Sequence, residues 1–113
     1  MNASESCLFC QIVSGEIQAQ RVFQDAEVTA FYDVNPQAPV HVLIVPNTHT
    51  PSHLEADDPT IYAQVLAGAK KVAQQLNLSD YRLVINNGRG AGQSVFHLHV
   101  HLMAGRPFGW PAG

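Results

Sequence analysis

Three histidines alternate with apolar residues near the end of the chain, at His97, His99 and His101. This period of two predicts a strand over Val95–Met103, because successive side chains of a strand point to opposite faces. The three imidazoles then share one face of the strand. The opposite face is apolar and is expected to pack on a long helix; it carries Phe96, Leu98, Val100 and Leu102. Solvated faces usually carry Thr, Lys, Glu or Ser, so this pattern indicates a chemical site.

Two kinds of chemistry suit such a row of histidines. Imidazoles from one strand can converge on a catalytic zinc ion. Alternatively, one imidazole is a nucleophile and a neighbour orients it or handles a proton. The glycine-rich loop over residues 86–94 favours the second, because its backbone N–H groups, the Gln93 amide and the Ser94 hydroxyl could hold a phosphate. A neutral imidazole, with an ordinary pKa of about 6.5, is available for attack at neutral pH.

The elements that must position these groups predict an α+β domain. A short helix is expected over Cys7–Ser14 with Ser6 as its N-cap, and a long helix begins at Asp58-Pro59 and ends near Asn77. Besides the histidine strand, four strands are expected, at Arg21–Gln24, Val28–Val34, His41–Val45 and Tyr81–Ile85. Because strands and helices do not alternate as βαβ units, the five strands should form a mainly antiparallel sheet.

Composition limits the classes of protein to which this chain can belong. Its 113 residues suit one domain over residues 1–113, with a C-terminal tail from about residue 104. The net charge of −3 argues against a nucleic-acid or anionic-membrane partner. No apolar run approaches the ~18 residues of a membrane span, and the N-terminus lacks signal-peptide features. A cytoplasmic location is therefore expected.

Several segments, in the same order along the chain, resemble one known family. They are FCQIVSGEI, FYDVNPQAPVHVLIVPNTH, NNGRGAGQSVFHLHVH and the terminal Trp110-Pro111. Together they resemble the Hint branch of the histidine triad (HIT) superfamily over nearly the whole chain. The resemblance implies a homodimer in which two five-stranded sheets join into one of ten strands. It also implies hydrolysis of adenosine or guanosine 5′-phosphoramidates through a nucleotidyl-histidine, with no metal required for catalysis.

The resemblance also implies a role for each matching position. His99 is the nucleophile, His101 contacts the phosphate and His41 supports the nucleophile through its ring, with His97 completing the triad. Ser94 and Gln93 lie around the phosphate and the leaving group. Asn86 makes a polar contact on the phosphate or ribose side, and Asp33 accepts from the ribose hydroxyls. The base would lie in an apolar slot lined by Phe9, Ile17, Phe31 and Val34.

Cys7 and Cys10 are the only two cysteines of the chain. Their spacing suits a metal ligand pair or a reduced pair better than a disulfide framework. The resemblance implies a structural zinc held by Cys7, Cys10, His49 and His97; otherwise the two thiols are small buried hydrophobes.

The sequence leaves three other functions open: a nucleotide-binding sensor or scaffold with vestigial turnover, a dinucleoside polyphosphate hydrolase, and a zinc enzyme. The terminal Phe108 and Trp110 are large apolar groups in a tail that two prolines keep out of helix and strand. The resemblance places this tail near the partner subunit's active site, where it would influence the leaving group.

Overall fold

The computed structural model describes residues 6–113, and within them are two α-helices and five strands. The helices are α1 (Leu8–Ser14) and α2 (Thr60–Gln75). The strands are β1 (Arg21–Gln24), β2 (Val28–Tyr32), β3 (Val40–Pro46), β4 (Arg82–Val84) and β5 (Val100–Ala104). A single 3₁₀ turn over Arg89–Ala91 interrupts the glycine-rich loop.

The strands form one antiparallel sheet in the order β1-β2-β3-β5-β4. The predicted α+β class with a mainly antiparallel five-stranded sheet is therefore confirmed. None of the helices within residues 6–113 has the length and apolar character to cross a membrane.

Helix α2 covers one face of the sheet, and its periodic apolar residues explain why. Val65, Ala69 and Val72 are buried in a core with the inward residues of β2, β3 and β5. The helix approaches the sheet closely at Gly68, where an added Cβ atom would come within 2.9 Å of the Val28 Cγ2 atom. This packing fixes the sheet behind the functional residues, which lie on its other face.

The opposite face of the sheet is covered in part by α1. A second buried cluster joins residues of α1 to Phe31 of β2 and to Leu43 and Val45 of β3. These three alternate along their strands with residues of the first core, as the period of a strand requires. The short helix therefore lies on the face toward which His101 points.

The predicted strand Val95–Met103 is wrong in its first half, because β5 begins only at Val100. Ile44 of β3 and Val100 of β5 are the last pair of residues in the ladder between these two strands. Before that point the Leu98 N–H donates to the Thr50 carbonyl, 2.6 Å away, instead of to β3. Phe96 does not pack on the long helix as predicted; it is 40% exposed.

Smaller differences occur at other boundaries. The N-cap of α1 is Cys7 rather than Ser6, since the Cys7 Sγ accepts from the Cys10 backbone N–H. The second and fourth strands are shorter than the predicted Val28–Val34 and Tyr81–Ile85, whereas Arg21–Gln24 matches the prediction. The long helix begins at Thr60 with Pro59 as its N-cap, one residue later than predicted, and Asp58 accepts from the Thr60 N–H and hydroxyl just before it.

Candidate active site

A cavity of about 380 Å³ opens between α1, the segment after it and the face of the sheet that carries the histidines. Its lining is mostly apolar and comprises Leu8, Phe9, Ile12, Ile17, Gln18, Ala19, Phe31, Tyr32, Asp33, Val34, Leu43, Ser94, Val95, His99 and His101. A larger cavity of about 650 Å³ lies between the α2–β4 connection and the C-terminal segment, and its lining within residues 6–113 includes no histidine. The smaller cavity is therefore the candidate active site.

Most of the predicted site residues meet at this cavity. Its lining includes eight of them: Phe9, Ile17, Phe31, Asp33, Val34, Ser94, His99 and His101. His41 and His97 are buried behind the lining residues. His41 hydrogen-bonds to His101, and the His97 carbonyl accepts from His99. Sequence reasoning missed Leu8, Ile12, Gln18, Ala19, Tyr32, Leu43 and Val95. Leu43 could have been found, because alternation along β3 places it on the same face as the histidines.

Gln93 and Asn86 are not among the residues that line the cavity within the described part of the chain. The Gln93 side chain is 3% exposed and its amide is fully engaged. Its Oε1 accepts from the Gly88 N–H at 2.8 Å, and its Nε2 donates to the carbonyls of Pro51 and Val95. The Gln93 side chain therefore connects Gly88, near the start of the glycine-rich loop, to Val95, which follows the loop.

The tautomer of His99 follows from its one buried hydrogen bond. Its Nδ1 lies 2.8 Å from the His97 carbonyl oxygen, which can only accept, so Nδ1 carries the proton. The Nε2 of the neutral ring then holds a lone pair. Phe9 packs edge-on against this imidazole at 5.1 Å between ring centroids, and burial lowers the pKa of His99. The ring is therefore neutral at neutral pH, with its nucleophilic nitrogen at Nε2.

His41 and His101 form a second hydrogen-bonded unit beside His99. The Gln37 backbone N–H donates to the His41 Nδ1 at 2.9 Å, so neutral His41 carries its proton on Nε2. That Nε2 lies 2.9 Å from the His101 Nδ1 and donates to it, which leaves the His101 proton on Nε2. Burial, followed by the nearby His99 and His41, lowers the pKa of His101 to about 4, against the opposing influence of Asp33.

The two cysteines and two further histidines form a compact group of donor atoms. The His97 Nε2 donates to the Pro46 carbonyl at 2.8 Å, so its Nδ1 lone pair faces the Sγ atoms of Cys7 and Cys10, at 3.3 and 3.4 Å. The His49 Nδ1 lies 3.3 Å from the Cys10 Sγ, and all four donor atoms lie within 4.8 Å of one another. Around a tetrahedral zinc ion with two sulfur and two nitrogen ligands, any two ligand atoms are about 3.3–3.8 Å apart. The group fits such an ion.

A second group of possible ligands, Asp33, His41 and His101, has atoms equally close together but does not fit a metal. A ligating His41 Nε2 would have to give up its proton to Nδ1. Two N–H groups, those of His41 Nδ1 and of the Gln37 backbone, would then face each other at 2.9 Å. This group is therefore built for hydrogen bonding.

Comparison with known proteins identifies the family. The HIT domain model matches residues 14–108. The chain belongs to the HIT domain family. It is 40% identical to the purine nucleoside phosphoramidase of Escherichia coli K12, over 94% of this chain and 92% of that protein. A HIT family hydrolase from Legionella pneumophila superposes with a TM-score of 0.89 at 48% identity, over 95% of this chain and 99% of that one.

A third HIT relative has a bound zinc ion. A zinc-bound histidine triad family protein from Mycobacterium smegmatis superposes with a TM-score of 0.82 at 32% identity, over 98% of this chain and 82% of that one. The predicted resemblance to the HIT superfamily and its Hint branch is thus confirmed.

The half-buried His101 predicts how the stability of this HIT domain depends on pH. Burial lowers its pKa to about 4 in the folded chain, against about 6.5 when unfolded, so between about pH 6.5 and pH 4 the unfolded chain takes up more of this proton than the folded chain. The free energy of unfolding should therefore fall as the pH drops from 6.5 to 4.5, by less than about 1.4 kcal/mol per pH unit for this group, because solvent beside the half-buried ring screens part of the effect.

Urea unfolding of His101→Gln at several pH values measures this contribution. We expect a shallower loss of stability than in the wild-type protein, whereas His53→Gln, at an exposed histidine, should keep the wild-type slope. Equal slopes for His101→Gln and the wild-type protein would contradict the assignment.

Proposed function

We propose that this chain hydrolyses the phosphorus–nitrogen bond of purine nucleoside 5′-phosphoramidates through a nucleotidyl-His99 intermediate. The observation that carries the proposal is the buried, neutral His99, whose Nδ1–H is held by the His97 carbonyl so that the Nε2 lone pair is free. The 40% identity to a purine nucleoside phosphoramidase and the Legionella HIT family hydrolase support a hydrolytic reaction.

The lining of the cavity suits the parts of a purine nucleotide. The apolar end, with Phe9, Ile17 and Phe31, offers a slot for the base, and the fully exposed Val34 borders its mouth. Asp33 has one carboxylate oxygen held by the Asn35 N–H and a second near His41, so it can accept from the ribose hydroxyls at the edge of the slot. The α-phosphate would then lie at the polar end of the cavity, among His99, His101 and Ser94.

In the first chemical step, the His99 Nε2 lone pair attacks the α-phosphorus. The Nε2–P bond forms as the P–N bond breaks, and the departing nitrogen keeps the electron pair and takes up a proton from solvent to leave as an amine. The ring becomes cationic in this step, and its Nδ1–H to the His97 carbonyl stabilises that charge. Water then attacks the phosphorus and returns one proton to solvent as the Nε2–P bond breaks, with the electron pair going back to Nε2, which releases the nucleoside monophosphate and neutral His99.

The neighbouring groups stabilise the charge on the transferring phosphoryl group. The His101 Nε2–H can donate to a phosphoryl oxygen, and the donation from His41 into its Nδ1 holds it in that tautomer. Ser94 is exposed at the cavity and supplies a hydroxyl near the departing nitrogen. We propose that Gln93 acts on the phosphate by holding the loop, and that Asn86, close to Gly92, makes its polar contact across that loop.

Trapping the intermediate tests this function. The wild-type protein, quenched during turnover of adenosine 5′-phosphoramidate, should show one adenylyl group on His99 by peptide mass spectrometry. His99→Ala should lose the adduct and about 10⁴-fold or more in kcat, because no other imidazole among the described lining residues offers a free ring lone pair. His53→Ala, at an exposed histidine, should keep both.

Two results would contradict the proposal: a wild-type rate for His99→Ala, or stable nucleotide binding with neither adduct nor product. The second would instead favour a sensor or scaffold.

That the protein works in the cytoplasm, without nucleic-acid or membrane partners, stays a prediction from charge and composition.

We also propose that Cys7, Cys10, His49 and His97 hold a structural zinc ion. The four donor atoms and the Nδ1 lone pair of His97 support this, as does the zinc-bound relative. Burial and the neighbouring Cys7 raise the pKa of the Cys10 thiol to about 12 in the absence of metal. Binding a cation there would reverse that shift, because a coordinated thiol is deprotonated.

Cobalt substitution and chelation test the metal site. Co²⁺ bound to the wild-type protein should give thiolate-to-metal absorption, and Cys10→Ser should weaken it. Chelation should lower the free energy of unfolding, because structural zinc contributes folding energy, while the fraction that stays folded keeps its turnover. A chelated protein that is fully folded, inactive and reactivated by zinc would contradict a purely structural role.

We propose that the protein is a homodimer joined along β4. This strand is at one edge of the sheet, and the residues within and beside it expose apolar groups, at Tyr81, Leu83 and Ile85. Pairing of two such edges would give a continuous sheet of ten strands and would satisfy their open backbone groups. The exposed Trp110 of the tail could then reach the partner's cavity.

Sedimentation velocity tests the homodimer. The wild-type chain should sediment as a dimer at micromolar concentration, and Leu83→Asp should sediment as a folded monomer because it places a charge in the interface. Val34→Asp, which also charges an exposed apolar position but away from β4, should stay dimeric. A monomeric wild-type protein would contradict the interface.

A further inference from the structure

Gln37, in the loop between β2 and β3, is bonded to two parts of the molecule that are far apart in the sequence. Its backbone N–H donates to the His41 Nδ1 at 2.9 Å, and this bond sets the tautomers of His41 and His101. Its carbonyl accepts from the Arg106 Nε–H at 3.1 Å. Arg106 follows β5, 69 residues further along the chain. The orientation of Gln37 therefore depends on the C-terminal segment as well as on its own loop.

The loop by itself gives Gln37 little restraint. Two of its residues, Pro36 and Pro39, have no N–H group to donate. The Gln37 side chain is exposed and donates to the Asn35 carbonyl at 3.1 Å, within the same loop. Exposed backbone with few hydrogen bonds of its own opens easily. A contact from outside the loop is therefore important for keeping the Gln37 N–H directed at His41.

The Arg106 side chain is already ordered for this contact. Its Nη1 donates to the Pro107 carbonyl at 2.9 Å, and its guanidinium carbon lies 4.3 Å from the centroid of the Phe108 ring. The backbone before it also packs on the loop, because a Cβ atom added at Gly105 would come within 2.8 Å of the Pro39 Cβ. Since guanidinium and backbone are both held, the bond to the loop carbonyl costs little further conformational entropy.

Loss of this restraint would let the two histidines beside His99 exchange tautomers. A His41 ring that no longer accepts at Nδ1 can carry its proton there, and its Nε2 can then accept from a His101 Nδ1–H. The His101 Nε2 would then present a lone pair to the phosphate and repel its oxygens. Asp33, with a carboxylate oxygen 3.5 Å from the His41 Nε2, favours the original tautomer. We therefore expect a mixture rather than a complete exchange.

We propose that Arg106 is a positioning residue for the histidines of its own subunit. By holding Gln37, its Nε–H keeps the His41 proton, and hence the His101 proton, on Nε2. The C-terminal segment thereby acts on the site of the same chain, a role separate from the proposed reach of Trp110 toward the partner. The effect on the tautomers is independent of the reaction, whereas the effect on turnover rests on the proposed phosphoramidase function.

Two substitutions of similar length separate the hydrogen bond from the charge. Arg106→Gln has an amide nitrogen on Cδ, where arginine has Nε, so it keeps a donor for the Gln37 carbonyl without the charge. Arg106→Met has a methyl group at that place and keeps neither. In long-range ¹H–¹⁵N spectra at neutral pH, Arg106→Met should show mixed tautomers in His41 and His101. Arg106→Gln should keep both protons on Nε2.

Arg82→Gln is the matched control, because Arg82 also lies over Phe108, at 5.2 Å, but donates to the Gly109 carbonyl instead of to the loop. It should keep the wild-type tautomers. With adenosine 5′-phosphoramidate, Arg106→Met should lower kcat about fivefold, the change expected when one net hydrogen bond is lost. Arg106→Gln should restore most of that rate.

The spectra and the rates fail in different ways. Wild-type tautomers in Arg106→Met, or mixed tautomers of equal extent in Arg106→Gln or Arg82→Gln, would overturn the positioning role of Arg106. A wild-type protein that does not hydrolyse adenosine 5′-phosphoramidate would overturn the proposed function, while the spectra would still decide the role of Arg106.

Discussion

The proposed chemistry depends on one hydrogen bond between two histidines, from the His99 Nδ1–H to the His97 carbonyl, 2.8 Å long. It fixes which nitrogen of His99 carries the proton and therefore which one can attack. A ring with the opposite tautomer would present an N–H to the phosphorus and could not act as a nucleophile. In the proposed mechanism, the same bond would stabilise the cation that forms when His99 becomes substituted.

His97 can hold this carbonyl in place because its own ring is fixed at both nitrogens. One nitrogen donates to the Pro46 carbonyl, and the other faces Cys7 and Cys10. The His97 side chain has no exposed surface. Helix α1, which contains Cys10 and has Cys7 as its N-cap, and β3, which ends at Pro46, are thereby connected through His97 to the proposed nucleophile, His99.

The alternation of histidines identified the chemically important segment but not its conformation. Periodicity alone could not show that the Thr50 carbonyl would capture the Leu98 N–H, or that Pro46 would bond to a side chain, because both partners are distant in the sequence. The sheet itself was predictable, since β-branched runs and turn signals mark strands locally. Ser6 was the expected N-cap because hydroxyl groups usually cap helices, and the cysteine that replaces it also faces His97.

Residues with a distinctive chemical group were easier to assign from sequence than the residues that support them. His99, His101, Asp33 and Ser94 line the predicted site. The role of Gln93 was harder to assign, because only the folded loop shows that its amide is occupied. The backbone N–H of Gln37, which sets the tautomers of His41 and His101, has no sequence signal.

Hydrogen bonding fixes the tautomers of His41, His99 and His101, the three histidines proposed to act on the phosphate. Long-range ¹H–¹⁵N correlation spectroscopy of the ring nitrogens, at neutral pH and without nucleotide, tests it most directly. The structure predicts a protonated Nδ1 and an unprotonated Nε2 in His99, and protons on Nε2 in both His41 and His101. A His99 ring with its proton on Nε2, or a mixture of tautomers, would contradict the account.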